Sequence, residues 1–149
     1  MCTNVCENDS RNVAHDSSIG TRATRDERMF TISVETKFRA SHQLARADGS
    51  KERPHRHEWS VTAEVSSETL DSRAVVMDFH QLKAMVDDVV AELNNAALGK
   101  IEYFKGNPPS AENVAKYIYG KLEPRLPKGL RLCSIRVVEQ PGCSARFSA

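Results

Sequence analysis

The sequence lacks any apolar run near the roughly 18 residues that a membrane-spanning helix requires, and its first residues lack the apolar segment of a secretory signal. It also lacks an excess of charge of one sign, because 21 lysines and arginines stand against 20 aspartates and glutamates. This balance gives no electrostatic footprint for nucleic acid or an anionic membrane. We therefore expect a cytoplasmic protein whose substrate is a small molecule, with no nucleic-acid or membrane partner.

Cysteine is scarce. The chain has four, at Cys2, Cys6, Cys133 and Cys143, and a cytosolic chain of 149 residues has room for a core that needs no disulfide framework. We interpret them as free thiols, with Cys133 and Cys143 packed as small hydrophobic residues on strand-like segments. Cys2 and Cys6 have metal-like spacing, yet no second pair completes a site.

Periodicity divides the chain into a tail and one domain. Residues 1–28 show neither helical nor strand periodicity and are rich in Ser, Thr, Asn, Asp and Arg. Such a segment buries too little apolar surface to offset its ordering entropy, so we predict a disordered N-terminal tail over 1–28. His15 lies within this tail, and we expect it to take no part in the site. We predict a single domain over 29–149.

Alternation with period two predicts strands over 30–42 and 55–65, joined by a polar loop over 43–54. Apolar residues spaced three and four apart then predict a helix that Asp78 caps and that frays near 94–95. Its buried stripe is expected to comprise Phe79, Leu82, Val86, Val89 and Leu93. A polar loop leads to a second helix, capped by Ser110. Period two returns at the end, with Cys133, Ile135, Val137 and Glu139 on one strand face, followed by a turn and a short strand over 143–147.

The predicted order is strand, strand, helix, helix, strand, strand. Two hairpins that flank two helices give an α+β domain, with an antiparallel sheet and the helices on one sheet face. A sheet of four strands has two edges, and exposed edges are usually paired or covered. We therefore expect an oligomer in which the sheets of subunits join. The alternative is a monomer with charged, twisted edges.

Three of the five histidines lie at the alternating positions of the first hairpin whose side chains are expected to face inward. His42 ends the first strand, and His55 and His57 open the second, so an antiparallel hairpin brings them to the same end of the sheet. Three imidazoles at one point form the ligand set of an open zinc site, with a fourth position for water or substrate. Imidazole fits zinc better than magnesium or calcium, while nickel, copper and iron remain possible. The alternative is that the histidines only pack in the core.

Glu139 lies on the same face of its strand as the apolar residues, so its carboxylate is expected in the interior or at an interface. A buried carboxylate needs a partner. One interpretation is an acceptor for the donor nitrogens of a bound amine, guanidine or heterocycle. The other is a residue at a strand end that turns out to solvent.

Five motifs in this order resemble the 6-pyruvoyl tetrahydropterin synthase and 6-carboxytetrahydropterin synthase family over about residues 29–148. They are Phe38-x-Ala40-x-His42, His55-Arg56-His57, Val76-Met77-Asp78-Phe79-x-x-Leu82-Lys83, Pro109-Ser110-Ala111-Glu112-Asn113 and Val137-Val138-Glu139. The resemblance implies the tunnelling fold, in which subunits join into a trimeric antiparallel barrel, commonly as a hexamer of two barrels. It also implies that His42, His55 and His57 hold zinc and that Glu139 anchors a pterin-like ring.

The chain departs from the family at the positions that transfer protons. Family synthases carry a catalytic Cys just before the His-x-His pair, and here the loop 43–54 has none. They carry Asp-His after the first helix, where this chain has Asn94-Asn95, and an amide cannot take up and return a proton at neutral pH. Arg56 replaces the usual Gly and adds a fixed charge.

Glu52, three residues before His55, is similar to a variant branch in which Glu replaces the Cys. We predict it as the catalytic base, with a solvated loop residue as the alternative. By the same resemblance, the residues expected to bind substrate with Glu139 are Ser110, Glu112, Asn94, Asn95 and Arg56.

The function that these residues favour is a zinc-dependent lyase or cyclase that acts beside a carbonyl. Its substrate is a pterin-like or other nitrogen-containing compound with a short sugar-like or aldehyde chain, and its chemistry has diverged from that of the parent synthases. The alternatives are a non-catalytic zinc-containing oligomer that binds a pterin-like ligand, and a structural protein without metal. We expect a homotrimer or homohexamer.

Overall fold

A computed structural model describes residues 28–149, so the predicted tail lies outside the described residues except for Arg28, as do His15, Cys2 and Cys6. The chain folds into a four-stranded antiparallel sheet in the order β1-β2-β3-β4. The elements in chain order are β1 Phe30–His42, β2 His55–Ser67, α1 Phe79–Ala91, α2 Glu102–Gly106, α3 Ala111–Leu122, β3 Arg131–Gln140 and β4 Cys143–Phe147. The α+β class predicted from the sequence is confirmed. None of the helices in the described range is long and apolar enough to cross a membrane.

The hydrophobic core lies between one face of the sheet and the helices. α1 packs against β1, and α3 packs against β3 and β4. Trp59 from β2, Leu82 from α1 and Ile118 from α3 are fully buried in it. The buried stripe of α1 begins one turn later than predicted: Phe79 is 55% exposed, and Met77 enters the core in front of the helix instead.

The loop between the two predicted helices has structure of its own. A 3-10 turn at Leu98–Lys100 leads into the five-residue helix α2, and Phe104 of that helix is buried in the core. The sequence predicted only a polar loop here, because so short an element shows no full helical period. Phe104 holds this segment against the domain, close to the end of β1.

The free edge of β1 is covered where the strand ends. The Asn95 N–H donates to the Arg39 carbonyl at 2.6 Å, and the Ser41 N–H donates to the Ala96 carbonyl at 2.9 Å. The segment that follows α1 therefore runs beside β1 and fixes the last residues of that strand.

Two irregularities interrupt the ladder of β3. The pairing of β2 with β3 shifts so that Leu132, not Cys133, lies opposite Val65 in the core. Cys133 is consequently half-buried, and Cys143 on β4 is exposed, so the predicted packing of Cys143 as a small hydrophobic residue is wrong. Both described cysteines are free thiols. The second shift, between β3 and β4, falls at Glu139.

Candidate metal centre

The hairpin of β1 and β2 brings three histidines to one point. His42 lies directly opposite His55 in the antiparallel register, and His57 lies opposite Ala40. The ring centroids of His42 and His55 are 4.6 Å apart, those of His55 and His57 are 4.8 Å apart, and those of His42 and His57 are 5.4 Å apart. Because residues two apart on a strand share a face, all three rings lie on the helix-covered side of the sheet.

The shift in the ladder of β3 brings a carboxylate to the same point. Val138 pairs with Ser144 and Gln140 pairs with Cys143, so Glu139 is the extra residue of a bulge. Bulges often redirect a side chain beside a functional site. Here the Glu139 Oε1 lies 3.1 Å from the His42 Nε2 and 3.4 Å from the His57 Nε2. One donor atom from each of the four residues lies within 4.8 Å of every other.

Backbone carbonyls fix the orientation of two of the imidazoles. The His42 Nδ1 lies 2.8 Å from the Pro109 carbonyl oxygen, and the His55 Nδ1 lies 3.0 Å from the Arg53 carbonyl oxygen. A carbonyl only accepts hydrogen bonds, so in each ring the Nδ1–H donates, and in the neutral imidazole this leaves Nε2 with a free lone pair. This arrangement is the usual support of a metal-binding histidine.

The Nε2 atoms of His42 and His57 are buried and have no hydrogen-bond partner within the described part of the chain. Burial lowers the pKa of His57, although the charge of Glu139 opposes that shift. Where both rings are neutral and carry their proton on Nδ1, the two Nε2 atoms and the carboxylate oxygen that they face are all acceptors. A cation between them satisfies all of the acceptors at once, so the donor set fits a metal ion.

Comparison with known proteins places the chain in a family. A sequence model described as 6-pyruvoyl tetrahydropterin synthase matches residues 31–149. The chain belongs to the 6-pyruvoyl tetrahydropterin synthase family.

Two relatives with different names show the range of this family. The 6-carboxy-5,6,7,8-tetrahydropterin synthase of Synechocystis sp. is 32% identical over 128 residues, which cover 80% of this chain and 93% of that protein. The dihydroneopterin monophosphate aldolase of Pyrococcus furiosus is 35% identical over 95 residues, which cover 64% of this chain and 80% of that protein.

Solved structures of the family share the fold. The 6-pyruvoyl tetrahydropterin synthase of Caenorhabditis elegans superimposes with a TM-score of 0.72 at 22% identity, covering 82% of this chain and 96% of that chain. A Plasmodium vivax 6-pyruvoyltetrahydropterin synthase superimposes with a TM-score of 0.63 at 20% identity, covering 80% of this chain and 97% of that chain. That structure is of a variant in which a catalytic glutamate is replaced by alanine.

Glu52 lies in the loop before the histidine pair, outside the four-residue cluster but near it. Its Oε1 accepts a hydrogen bond from the Leu44 N–H at 2.9 Å, and its backbone carbonyl accepts one from the Gln43 side chain at 2.9 Å. Its negative charge acts on His57. The loop thus holds a half-buried carboxylate beside the histidines, at the end of the sheet where β1 stops.

Asn94, Asn95 and Arg56 lie in a group of their own. The Asn94 Oδ1 accepts a hydrogen bond from the Arg39 N–H at 3.0 Å, and the Asn95 Oδ1 accepts one from the Arg56 guanidinium. Arg56 alternates with the histidines on either side of it and therefore leaves the sheet on the opposite face. Within one subunit, this group braces the end of α1 against the hairpin and stays apart from the histidine cluster.

Ser110 and Glu112 begin α3, close to the Pro109 carbonyl that holds His42. The Ser110 hydroxyl caps the helix by accepting from the Asn113 N–H at 3.3 Å, while Glu112 is exposed in the first turn. The Asn113 side chain donates to the Pro108 carbonyl at 2.8 Å and so stabilises the turn. Sequence reasoning named Asn113 within a family motif but gave it no role in the site, because nothing local links it to a histidine on another element.

Trp59 is a second residue that sequence reasoning did not single out for the site. It is fully buried, and its ring meets those of His42 and His57 edge-on, with centroids 4.8 Å and 6.0 Å away. The alternation of side chains along β2 could have identified it, since Trp59 lies two residues after His57 and therefore on the same face. Its bulk forms the apolar wall behind the imidazoles.

Proposed function

We propose that this protein is a zinc-dependent lyase or cyclase that acts beside a carbonyl on the short side chain of a pterin-like substrate. The convergence of three imidazoles and one carboxylate, with two buried Nε2 atoms that lack a partner, carries this proposal. Nitrogen-rich ligation favours zinc over magnesium or calcium. The names of two relatives, a tetrahydropterin synthase and a dihydroneopterin monophosphate aldolase, support a pterin-type substrate.

His42, His55 and His57 would hold the zinc ion through Nε2. When bound, the ion supplies polarisation of a carbonyl or hydroxyl oxygen, which lowers the barrier to enolisation or to a change in a carbon–carbon bond. The Trp59 wall and the carbonyls of Pro109 and Arg53 keep the imidazoles in one orientation.

Glu52 acts as the general base in this proposal. Its carboxylate would take a proton from a carbon or hydroxyl of the substrate's side chain and return it to the product. The hydrogen bond from the Leu44 N–H keeps the carboxylate in place during this exchange. The catalytic glutamate of the P. vivax protein supports a carboxylate in such a role within this fold.

Glu139 takes part through its carboxylate, which lies beside His42 and His57. We propose that it accepts a hydrogen bond from a donor nitrogen of the substrate ring, as its position in the family motif implies. The proximity of its Oε1 to two imidazoles supports a position for such a ring near these histidines. Ser110, Glu112, Asn94, Asn95 and Arg56 remain predicted substrate-binding residues, and Asn94, Asn95 and Arg56 would reach the substrate of a neighbouring subunit.

The two edge strands support an oligomer. β1 and β4 form the edges of the sheet, and only the end of β1 is covered within the described chain. We propose that the edges pair between subunits in a homotrimer or homohexamer, since a closed barrel removes every exposed edge.

The test begins with metal analysis of protein purified without a histidine tag, where we expect about one zinc per chain. His42→Ala should lose the metal, while the control His80→Ala should keep it, because His80 is fully exposed and pairs with Asp78. Dihydropterins with hydroxylated side chains should then give product, and a chelator should abolish turnover. Metal without turnover would indicate the non-catalytic binder, and absence of metal in the wild type would overturn the proposal.

A further inference from the structure

The Glu139 carboxylate lies at the distance from two histidines that ligands of one metal ion have from each other. Two ligand atoms in a tetrahedral arrangement, each about 2.0–2.1 Å from a zinc ion, are about 3.3 Å apart. The Glu139 Oε1 lies 3.1 Å from the His42 Nε2 and 3.4 Å from the His57 Nε2. Both distances are therefore close to the edge of one tetrahedron. The donor atom of His55 completes a set whose members all lie within 4.8 Å of one another.

These two contacts are not hydrogen bonds. The Nε2 atoms of His42 and His57 have no hydrogen-bond partner among residues 28–149, although the Glu139 oxygen is within ion-pair distance of each. An N–H bond points straight out of its ring, so a hydrogen-bonded oxygen lies close to that line. Ligands of one metal ion instead point at a common centre between them. The position of the Glu139 oxygen is therefore that of a ligand beside two other ligands.

The backbone of β3 directs the Glu139 carboxylate to this position. Glu139 is the extra residue of the bulge, and bulges re-aim side chains beside functional sites. Among residues 28–149, its ion-pair partners are His42 and His57, with no lysine or arginine. The carboxylate is only 24% exposed, and a largely buried carboxylate needs a positive partner. A metal ion at the histidines supplies that charge.

We propose that Glu139 is a fourth protein ligand, which closes the metal site while no substrate is bound. The inference rests on the proposed function for the metal ion itself. It goes beyond the ring-binding role of Glu139 because it describes the state without substrate. Four protein ligands are typical of a structural zinc site, whereas a catalytic site keeps one position open. A substrate therefore has to displace the carboxylate before its own oxygen can be polarised.

The surroundings of the site do not keep an external anion away from it. A cavity of about 710 Å³ opens beside the histidines, with His42 in its wall. Lys51 and Lys100 line the same cavity, and none of the described residues in its lining is acidic. A small anion can therefore reach the metal position, and the Glu139 carboxylate is what prevents it from binding there.

The test replaces zinc with cobalt, because Co²⁺ accepts the same ligands and its visible spectrum responds to a change of ligand. The full-length protein is loaded with Co²⁺ and titrated with azide, a small anion that binds an open coordination position. We expect the wild-type spectrum to stay unchanged, while Glu139→Ala gains an azide-dependent change. Glu58→Gln is the matched control and should behave as wild type. Glu58 follows His57 directly but leaves the sheet on the opposite face, where it pairs with Lys37.

Zinc affinity gives a second readout that does not depend on the spectrum. Loss of a supporting residue alone costs about 10- to 100-fold in metal affinity. Loss of a ligand in Glu139→Ala should therefore cost at least about 100-fold in a competition titration with a chelator. Glu139→Gln keeps the shape of the side chain, so a similar loss in this variant assigns the effect to ligation and not to packing.

An azide response in the wild type equal to that of Glu139→Ala, with equal zinc affinity in the two proteins, would overturn the inference. That result would leave a metal-containing protein with an open site, which the proposed function allows. Failure of the proposed function is different, because it would appear as absence of metal or of turnover in the wild type.

Discussion

The Glu139 Oε1 on β3 lies 3.1 Å from the His42 Nε2 on β1, although β2 separates the two strands. Since a neutral imidazole with its Nδ1–H engaged by Pro109 offers only a lone pair, the two atoms are both acceptors. A metal ion between them, or a proton on the imidazole, removes the repulsion between the two lone pairs. The bulge in β3 therefore brings a carboxylate to the histidines of the β1–β2 hairpin.

Replacement of Glu52 tests the proposed base. Glu52→Gln keeps an oxygen that can accept the Leu44 N–H and removes only the ability to take a proton. We expect turnover to fall by about a hundredfold or more, the usual contribution of a general base, with the metal content unchanged. Glu52→Ala should additionally loosen the loop, which protease sensitivity would reveal. Wild-type turnover in Glu52→Gln would exclude this residue as the base.

Asn113 should affect the metal without touching it. Its side chain holds the Pro108 carbonyl and so fixes the adjacent Pro109 carbonyl that orients His42. Loss of such support typically costs about 10- to 100-fold in metal affinity, so Asn113→Leu should weaken zinc binding by that amount in a competition titration with a chelator. Asn107→Leu is the control, because Asn107 donates to the Tyr103 carbonyl in the same loop. Equal affinities in the two variants would contradict the role of Asn113.

Tyr117 should titrate far above the usual range. Burial, together with its hydrogen bond to Glu92 at 2.6 Å, raises the pKa of Tyr117 to about 12. Ultraviolet titration of wild type against Tyr117→Phe should isolate this phenol among the three tyrosines. Glu92→Gln should move its pKa back towards 10, because the carboxylate charge that opposes ionisation is gone.

The same pKa shift makes a contribution to stability that depends on pH. The folded state holds the phenol proton more tightly than the unfolded chain, so the contribution is fully present below pH 10 and is lost as the pH rises through about 12. The free energy of unfolding, measured in urea across this window, should fall less steeply for Tyr117→Phe than for wild type. Parallel pH profiles of the two proteins would contradict the assignment.

Ala74 should be a site of stored backbone strain. It adopts a φ of 60°, in the left-handed region that costs a residue with a Cβ about 1–2 kcal/mol. Ala74→Gly should therefore raise the free energy of unfolding by about 0.5–1 kcal/mol, after the greater flexibility of glycine in the unfolded chain is subtracted. Ala47→Gly, in an exposed loop at ordinary φ, should instead destabilise slightly. Urea denaturation of both variants decides this prediction.

The positions of the strands and of the two main helices follow from local pattern. Apolar residues alternate with a period of two around His42 and His57, and they are spaced three and four apart after Asp78. These patterns are predictable because the backbone of each strand or helix alone sets the directions of its side chains. The helix α2 and the exposure of Phe79 could not be predicted this way. They depend on where the rest of the chain offers a surface to cover.

The sequence by itself determined the antiparallel hairpin that gathers His42, His55 and His57, because antiparallel pairing brings the end of the first strand beside the start of the second and alternation puts the three side chains on one face. Only the tertiary structure decided that Glu139 is directed at the same point and that Lys51 and Lys100 share a cavity with His42. A bulge arises from how two strands pair, and a cavity wall from how distant loops meet. Neither is encoded in the period of any single segment, since both depend on contacts between residues far apart in the chain.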